Sequence, residues 1–258
     1  MTMARAELPD HTSRFLGKAE VYSMHRPRYP KEILAALSKA IDFDQEKVVA
    51  DIGSGTGILS ALFLENGNMV YCVEPNRDMR KAAEDNLSEF TSRFVSVVGK
   101  AEDTRLPDRC ADLATAGQAL HWFDLGATRK EFARILRPGG HVAIVYNHRR
   151  DEGELERTYS QIIEKYSTMK PPEVEVDDAY VAKFLNNGDA QRLVFPNSQA
   201  LDGEGMLGRL ASASYMPSPG SDGYEEVREA VYKMFEDSGK SELTLHYDTV
   251  MHLGRVTP

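Results

Sequence analysis

The stretch Val48-Val-Ala-Asp-Ile-Gly-Ser-Gly-Thr-Gly-Ile58 decides the fold. Its apolar first half is typical of a buried parallel strand, and three glycines at alternate positions then lead into a helical pattern. Glycine lets the backbone turn sharply and lets a ligand approach it closely. In a parallel α/β sheet such a loop lies at the carboxyl end of a strand, beside a helix N-terminus, where ligands bind.

The spacing of Gly53, Gly55 and Gly57 narrows the choice of ligand. A dinucleotide-binding loop has the pattern G-x-G-x-x-G, whereas Ile58 stands where the third glycine of that pattern would fall. A P-loop is excluded because no lysine follows the glycines to reach a phosphate. The loop also lacks the G-x-S-x-G elbow of a serine hydrolase.

Outward from this loop, short apolar runs alternate with amphipathic helical patterns as far as Tyr146. This alternation predicts an α/β fold with a doubly wound, Rossmann-like, mostly parallel sheet of seven strands and an antiparallel C-terminal edge hairpin. The predicted strands are 48–52, 69–73, 94–98, 111–116, 141–146, 192–195 and 243–250. The predicted helices include 56–66, 77–90, 128–136, 152–166, 203–212 and 224–236.

The same pattern divides the chain into four parts. Residues 1–45 are expected to form an N-terminal tail and lid helices, and residues 46–150 a ligand-binding core. Residues 151–190, interrupted by Pro171-Pro172, are expected to form a helical cap insertion. Residues 191–258 would complete the sheet.

Composition excludes several classes of protein. The 258 residues include 40 acidic and 31 basic side chains, a net charge of −9, without a basic block. We therefore expect no nucleic-acid partner and no membrane partner. Two cysteines cannot build a disulfide framework or a four-cysteine zinc site, and no histidine cluster has metal-ligand spacing, so we expect no metal. With neither a secretion signal nor a bilayer-spanning apolar run, the protein is expected in the cytoplasm.

The second predicted strand leads into Glu74. An acidic side chain at this place can accept hydrogen bonds from both hydroxyls of a ribose. Alternatively, Glu74 only begins a turn before the next helix. Its combination with the glycine loop favours the ribose interpretation.

These residues resemble the class I S-adenosylmethionine-dependent methyltransferases, by motif over roughly residues 15–150 and by layout through the C-terminal strands. Further matches follow the third and fourth strands and precede the fifth: Gly99-Lys-Ala-Glu-Asp103, Gln118-Ala-Leu-His-Trp-Phe-Asp124 and Arg134-Ile-Leu-Arg-Pro-Gly-Gly140. The segment Tyr22-Ser-Met-His-Arg-Pro-Arg-Tyr-Pro30, with His-Trp-Phe-Asp, is similar to the branch that includes trans-aconitate methyltransferase-like proteins. Because proteins of that branch methylate many different acceptors, the resemblance does not identify the substrate.

The resemblance implies S-adenosyl-L-methionine as the cofactor. The glycine loop would lie along the methionine portion with Asp51 near its amino group, Glu74 would hold the ribose, and Asn76 and Met79 would border the adenine. Gln118 and Ala119 would line the sulfonium side. In full, the cofactor-binding residues would be Tyr22, Arg26, Asp51, Gly53, Ser54, Gly55, Gly57, Glu74, Pro75, Asn76, Met79, Ala101, Glu102, Gln118, Ala119 and Trp122.

Several of these residues have structural alternatives. Met79 and Trp122 could simply pack, and Glu102 could be a solvated carboxylate. His121, at the end of the fourth strand, could be a general base, because its ordinary pKa of about 6.5 suits that work, or a hydrogen-bonding wall. Tyr29 is the second candidate catalytic residue, facing the acceptor from a lid in which Arg26 would pair the cofactor carboxylate. Alternatively, that segment is a helix packed on the sheet edge with arginines at the surface.

The expected activity is in-line methyl transfer to a small-molecule acceptor, beneath a roof formed by the N-terminal segment, residues 151–190 and residues 207–217. The main alternative is a protein or tRNA methyltransferase of the same fold, which would need an open groove beside His121. A non-catalytic cofactor-binding protein is the second alternative. The acceptor and the oligomeric state stay open.

Overall fold

The computed structural model describes residues 19–169, 176–185 and 190–257, and only the backbone of residues 20–22. The predicted tail, which falls in residues 1–18, and the break at Pro171-Pro172 lie outside the described residues. None of the described helices is both long and apolar enough to cross a membrane.

Seven strands form a single sheet. They are β1 (Val48–Ile52), β2 (Met69–Val73), β3 (Phe94–Val97), β4 (Ala111–Gly117), β5 (Leu136–Arg149), β6 (Gln191–Leu201) and β7 (Leu243–Gly254). Their order across the sheet is β3-β2-β1-β4-β5-β7-β6. Strands β1 to β5 pair in parallel, whereas β7 runs antiparallel to both of its neighbours, β5 and β6. The predicted fold class, with its antiparallel C-terminal edge, is confirmed.

The described helices number nine. They are α1 (Ala19–His25), α2 (Glu32–Ile41), α3 (Ile58–Asn66), α4 (Arg77–Asn86), α5 (Leu125–Ile135), α6 (Glu154–Tyr166), α7 (Asp178–Phe184), α8 (Gly203–Ala211) and α9 (Tyr224–Ser238). Short 3-10 turns cover Ser88–Phe90 and Leu120–Trp122.

Helix ends depart from the sequence pattern for local reasons. The helix expected at residues 128–136 begins at Leu125, because Asp124 accepts hydrogen bonds from the backbone N–H groups of Gly126 and Ala127, both 3.0 Å. The helix expected at 56–66 begins at Ile58, because Gly57 takes a left-handed φ of +84°. The helix expected at 77–90 ends at Asn86 and continues as a 3-10 turn.

Buried apolar side chains form a core on each face of the sheet. Helices α5 and α7 cover one face, where the rings of Phe132 and Phe184 meet edge to face with centroids 5.4 Å apart. Helices α2 and α3 cover the other face through Leu37 and Phe63. The strand ends between these layers are where a ligand of such a sheet would bind.

A third core lies beyond the end of β4. There β4 stops at Gly117, whereas β5, β7 and β6 continue pairing as far as Arg149 and Leu201. Helices α6, α8 and α9 pack on this extension, and we call them, with residues 243–247 of β7, the wing. Of the residues expected to form one cap, 151–190, helix α6 therefore joins the wing whereas α7 packs on α5. The proposed domain division stays a prediction.

Candidate functional site

The glycine loop leaves β1 in a left-handed conformation at all three glycines. Gly53, Gly55 and Gly57 have φ of +67°, +56° and +84°, and the Val73 carbonyl accepts hydrogen bonds from the N–H groups of Gly53 (2.8 Å) and Ser54 (3.1 Å). A Cβ at Gly53 would lie 2.9 Å from the Cβ of Ala119, so the loop packs tightly against the end of β4. At Gly55 no other heavy atom lies within 4 Å of the position that a Cβ would take. The loop is therefore a cradle with open space along Gly55.

Two hydroxyl groups in this loop lack hydrogen-bond partners among the described residues. The side-chain oxygens of Ser54 and Thr56 are both buried and unpaired. A buried hydroxyl without a partner is unfavourable, so such groups normally meet a ligand or water. Polar groups of a bound ligand would satisfy both, which is what the methionine portion of S-adenosylmethionine offers.

Glu74 ties the loop to the end of β2. One carboxylate oxygen accepts from the N–H of Gly55 at 3.0 Å, and the other accepts from the N–H of Asn76 at 2.8 Å. Burial raises the pKa of Glu74 despite these two hydrogen bonds. Since an ionised carboxylate can accept about four hydrogen bonds, Glu74 retains capacity for two ribose hydroxyls.

Asp51 lies fully buried at the end of β1. Its two carboxylate oxygens accept hydrogen bonds from the hydroxyls of Ser60 (2.6 Å) and Thr115 (3.0 Å). Burial nevertheless raises its pKa to about 6. Two buried acids that lie close enough to affect each other electrostatically create a site that favours a cationic ligand group.

The side expected to hold the adenine is built from α4 and the loop after β3. The Asn76 side chain caps α4 by accepting from the N–H groups of Asp78 (2.9 Å) and Met79 (3.0 Å), and Arg80 donates to the carbonyls of Glu74 and Pro75, both at 2.9 Å. Met79 is buried, as is Ala101.

Glu102 has a structural partner, because its carboxylate accepts from the N–H of Asp124 at 2.8 Å. This bond fixes the loop after β3 against the start of α5. Glu102 is therefore not simply a solvated carboxylate of the loop. The contact of Glu102 with adenine stays a prediction.

The end of β4 carries the residues expected beside the methyl group. Gln118 has a φ of +55°, a conformation that is unfavourable for a residue with a Cβ and that often marks functional sites. The ring nitrogen Nδ1 of His121 lies 3.1 Å from the hydroxyl of Tyr146, and the ring of Trp122 lies 4.4 Å from that of His121. The structure thus brings His121, Trp122 and Tyr146 together in one aromatic group.

The segment between α1 and α2 crosses towards the same strand end. The Tyr29 hydroxyl lies 2.7 Å from the position of a Cβ on Gly117, the last residue of β4. Three side-chain amides of β5 and β6 hold the segment through its carbonyls: they join Gln199 to His25 (2.9 Å), Asn147 to Pro27 (3.4 Å) and Asn197 to Arg28 (2.8 Å). This segment is therefore strapped across the sheet and carries Tyr29 to the site.

Two lid residues are placed differently. The Arg26 guanidinium donates to the Ser212 carbonyl at the end of α8 (3.1 Å), so it lies against the wing. Tyr22 belongs to α1, but its side chain lies outside the described part of the structure. The cofactor contacts expected of both residues stay predictions.

Sequence reasoning missed the residues that hold the expected site in place. Ser60, Thr115 and Arg80 fix Asp51 and Glu74, but a hydroxyl or an arginine in a helix or strand carries no signal of such a partner. Tyr146 was not missed: with Asn147 it ends the predicted fifth strand, from which both side chains were expected to be able to reach the pocket. In the described ranges no three potential metal ligands converge on one point. The expectation of no metal stays a prediction.

Comparison with known proteins gives the fold and the core a family context. Residues 50–144 match the family model described as a methyltransferase domain. An uncharacterized methyltransferase of Mycobacterium tuberculosis (strain ATCC 25618 / H37Rv) is 32% identical over 163 residues, which is 63% of each protein. The chain thus aligns with less than two thirds of that relative. A putative methyltransferase of Dictyostelium discoideum is 26% identical over 89% of each chain.

A solved structure extends the likeness to nearly the whole fold. A putative type II methyltransferase from Anaeromyxobacter dehalogenans has a TM-score of 0.68 at 24% identity, covering 90% of this chain and 99% of the other. The methyltransferase resemblance is confirmed at this level, and the narrower trans-aconitate branch stays a prediction. In sequence over residues 50–144 and in fold over most of its length, the chain is therefore similar to methyltransferases.

Proposed function

We propose that the protein transfers a methyl group from S-adenosyl-L-methionine to a small-molecule acceptor. One observation carries the proposal: the hydrogen bond from the Gly55 N–H to Glu74 closes a cradle in which the neighbouring hydroxyls of Ser54 and Thr56 are buried and unpaired. A ligand that presents polar groups to the loop and a ribose to Glu74 would satisfy all three side chains.

The buried acids suit the charge of this cofactor. When bound, S-adenosylmethionine would supply an electrophilic methyl group whose carbon an acceptor lone pair can attack in line, with the sulfur leaving with the electrons of the broken C–S bond. From the far side of the glycine loop, the carboxylates of Asp51 and Glu74 would attract the ammonium group in the methionine portion of the cofactor. Ala119 and Gln118 would present mainly backbone to the sulfonium side, where a fixed negative charge would oppose transfer by stabilising the starting state.

Most of the rate acceleration would come from alignment. Holding the acceptor against the donor in a water-poor site can lower the barrier by up to about 7–11 kcal/mol in the best cases. The strapped segment carrying Tyr29 would wall the site on one side, and His121 with Trp122 would wall it on the other. Both walls are needed to fix the attacking atom on the line of displacement.

His121 would act as the general base for an acceptor that arrives protonated. With Nδ1 donating its hydrogen to the Tyr146 hydroxyl, the other ring nitrogen is left as a proton acceptor. With the opposite tautomer, Tyr146 would donate and His121 would only be a wall. An intact His121–Tyr146 pair is therefore a requirement of the base role.

The roof over the strand ends favours a small acceptor. The segment 25–30, held by three amides of β5 and β6, crosses the region where an open groove for a macromolecule would have to lie. A protein or tRNA methyltransferase and a non-catalytic cofactor-binding protein are the alternatives. Incubation with labelled S-adenosylmethionine and a metabolite extract, then with cell protein and tRNA, tests them: label in a small product supports the proposal, and label only in macromolecules contradicts it.

Glu74→Gln tests the cofactor assignment. The substitution keeps the shape of the side chain but places an amide NH₂ where one backbone N–H now donates, and it removes the charge that receives the ribose hydroxyls. We expect S-adenosylmethionine to bind about ten- to a hundredfold more weakly, because hydrogen bonds to charged groups contribute that much. Isothermal titration calorimetry measures the effect directly.

Glu84→Gln is the matched control. Glu84 is an exposed residue of α4 that accepts from the Ser96 hydroxyl at 2.7 Å, and its loss changes the net charge by the same amount. The affinity of the Glu84→Gln variant for S-adenosylmethionine should equal that of the wild type. Wild-type protein that fails to bind S-adenosylmethionine, or equal affinities for the two variants, would contradict the proposed site.

A further inference from the structure

Arg209 points into the wing from α8, away from the glycine loop. Its Nε donates to the hydroxyl of Tyr247 at 3.4 Å, and that hydroxyl donates to the side-chain oxygen of Gln199, also at 3.4 Å. The amide of Gln199 in turn donates to the His25 carbonyl at 2.9 Å. A continuous chain of hydrogen bonds therefore fixes the orientation of the Arg209 guanidinium.

The outer end of this guanidinium has no hydrogen-bond partner among the described residues. Its two Nη groups make no hydrogen bond to any residue that the structure describes, and Arg209 as a whole is partly exposed. No carboxylate of the described residues lies within 4 Å of Arg209, in contrast to Arg134, Arg150 and Arg228, which each pair with at least one. Among the described side chains the guanidinium thus has no counter-ion, and its two Nη groups form the planar fork that binds carboxylate or phosphate in a bidentate manner.

The described surroundings of Arg209 supply hydroxyls, and no carboxylate among them pairs with it. Tyr159 and Tyr247 are both almost fully buried, and Tyr215 lies within electrostatic reach of Tyr159 and Arg209. Burial raises the pKa of Tyr159, so this phenol is neutral at physiological pH. The positive charge of Arg209 is therefore not neutralised by its aromatic neighbours, and such a charge in a partly buried place is costly without an anion.

A second guanidinium comes from the strapped segment. Gly208, the residue before Arg209, packs so closely on the ring of His25 that no Cβ would fit between them, and Arg26 follows His25. Arg26 and Arg209 both affect the Tyr159 phenol electrostatically. Two positive side chains thus lie within electrostatic reach of one buried tyrosine.

The position of this cluster relates it to the site at the end of β4. Arg26 and Tyr29 are three residues apart, which an extended chain spans in about 10 Å. The Tyr29 hydroxyl lies beside Gly117, where the acceptor would meet the methyl group. A small molecule could therefore contact the arginines at one end and the reacting position at the other.

We propose that Arg209, oriented by Tyr247 and supported by Arg26 and the hydroxyls of Tyr159 and Tyr215, binds an anionic group of the acceptor, a carboxylate or a phosphate, remote from the atom that is methylated. This inference rests on the proposed methyl transfer and specifies the class of acceptor. It makes Arg209 a specificity-determining residue with no part in cofactor binding.

The experiment uses full-length protein saturated with S-adenosylhomocysteine and four probes in chloride-free buffer: succinate, glutarate, inorganic phosphate and the neutral glutaramide. We expect calorimetry to detect at least one anion and not glutaramide. A preference for the dicarboxylates or for phosphate distinguishes the two anionic groups. Wild-type protein that binds no anionic probe, or binds glutaramide as well as glutarate, would overturn the proposal.

Arg209→Gln should lower the affinity for the anion by about ten- to a hundredfold and leave the affinity for S-adenosylhomocysteine unchanged. Arg228→Gln is the control, because Arg228 is an exposed wing arginine paired with Glu225 at 2.7 Å. Anion affinity that is equal in these two variants refutes the assignment.

Thermal unfolding separates a binding role from a structural one. Removing an uncompensated charge should leave the midpoint of Arg209→Gln unchanged or higher, whereas loss of a structural arginine would lower it. Arg209→Lys keeps the charge without the planar fork and serves if the glutamine variant does not fold: it should fold and bind the anion about tenfold more weakly, and undiminished binding counts against the proposal. Failure of the wild type to bind S-adenosylhomocysteine is a separate result, which contradicts the proposed methyl transfer itself.

Discussion

At Gly55 the backbone has a left-handed φ of +56° with open space where a side chain would project. Alanine in this conformation costs about 1–2 kcal/mol of folding free energy. Its Cβ would also occupy the space along the loop that we assign to the cofactor. Gly55→Ala is therefore expected to fold and to bind S-adenosylmethionine at least about tenfold more weakly, as calorimetry would measure.

Gly139 provides the comparison for that variant. It has a φ of +86° and equally open space around a Cβ, but it lies near the start of β5. This is the amino-terminal end of the parallel strands, whereas the glycine loop lies at their carboxyl end. Gly139→Ala carries the same kind of backbone strain and should bind the cofactor like the wild type. A similar loss of affinity in both variants would mean that strain, not occupied space, explains the effect at Gly55.

Single residues differ in how far the sequence reveals them. Gly53, Gly55, Gly57 and Glu74 could be predicted because each sits at a fixed place relative to a strand end. Arg209 could not, because an arginine in the last turn of an amphipathic helix is ordinarily a solvated residue. Its significance depends on tyrosines from α6 and β7, which only the folded chain brings near.

At the scale of elements, α5 holds the loop that follows β3. Glu131 accepts from the N–H (2.8 Å) and the hydroxyl (2.6 Å) of Thr104, and Arg134 donates to the same carboxylate at 2.7 and 2.8 Å. Burial would raise the pKa of Glu131, but these hydrogen bonds outweigh it and lower the pKa to about 2. The loop that carries Ala101 and Glu102 is thus fixed to a helix on the opposite side of the strand end.

Glu131→Gln is expected to destabilise the protein by about 1–3 kcal/mol at pH 7, because it leaves donors of Thr104 and Arg134 unsatisfied. The folded-state pKa of Glu131 lies below its usual value of 4.5, so its ionisation stabilises the fold above about pH 4.5, and this contribution is lost as the pH falls towards 2. Urea unfolding at pH 7 and at pH 3 measures the difference between variant and wild type, which should shrink at pH 3. A difference that grows at pH 3 would contradict this account.

The extent of the elements was less predictable than their existence. Strands β1 to β4 were found within about one residue because apolar runs mark them. Strand β5 is longer than the predicted 141–146 because its polar end, including Asn147 and Arg149, pairs with β7. A polar strand end has no hydrophobic signature, since its partner and not its composition makes it a strand.

For the whole molecule, the wing and the cofactor site depend on separate cores. Leu245→Ala removes a fully buried side chain from the wing and is expected to cost about 2–5 kcal/mol of stability. Because the glycine loop, Asp51 and Glu74 belong to other parts of the fold than the wing, affinity for S-adenosylmethionine should change less than about threefold. Thermal unfolding and calorimetry on the same sample measure the two effects.

Leu113→Ala supplies the contrast. Leu113 is equally buried but lies on β4 and pairs with Val49 of β1, beneath the glycine loop. Leu113→Ala should reduce stability by a similar amount and should also weaken the binding of the cofactor. Equal cofactor affinities of the two variants would show that the two cores do not act separately.

The position of β7 has a consequence for how the chain folds during its synthesis. Strand β6 is made before β7, but β7 lies between β6 and the rest of the sheet, so β6 has no neighbour until residues 243–254 have left the ribosome. An unpaired strand edge can associate with other chains in that interval. Pro196, in the middle of β6, offers no N–H and so makes the nascent strand a poorer template for such pairing.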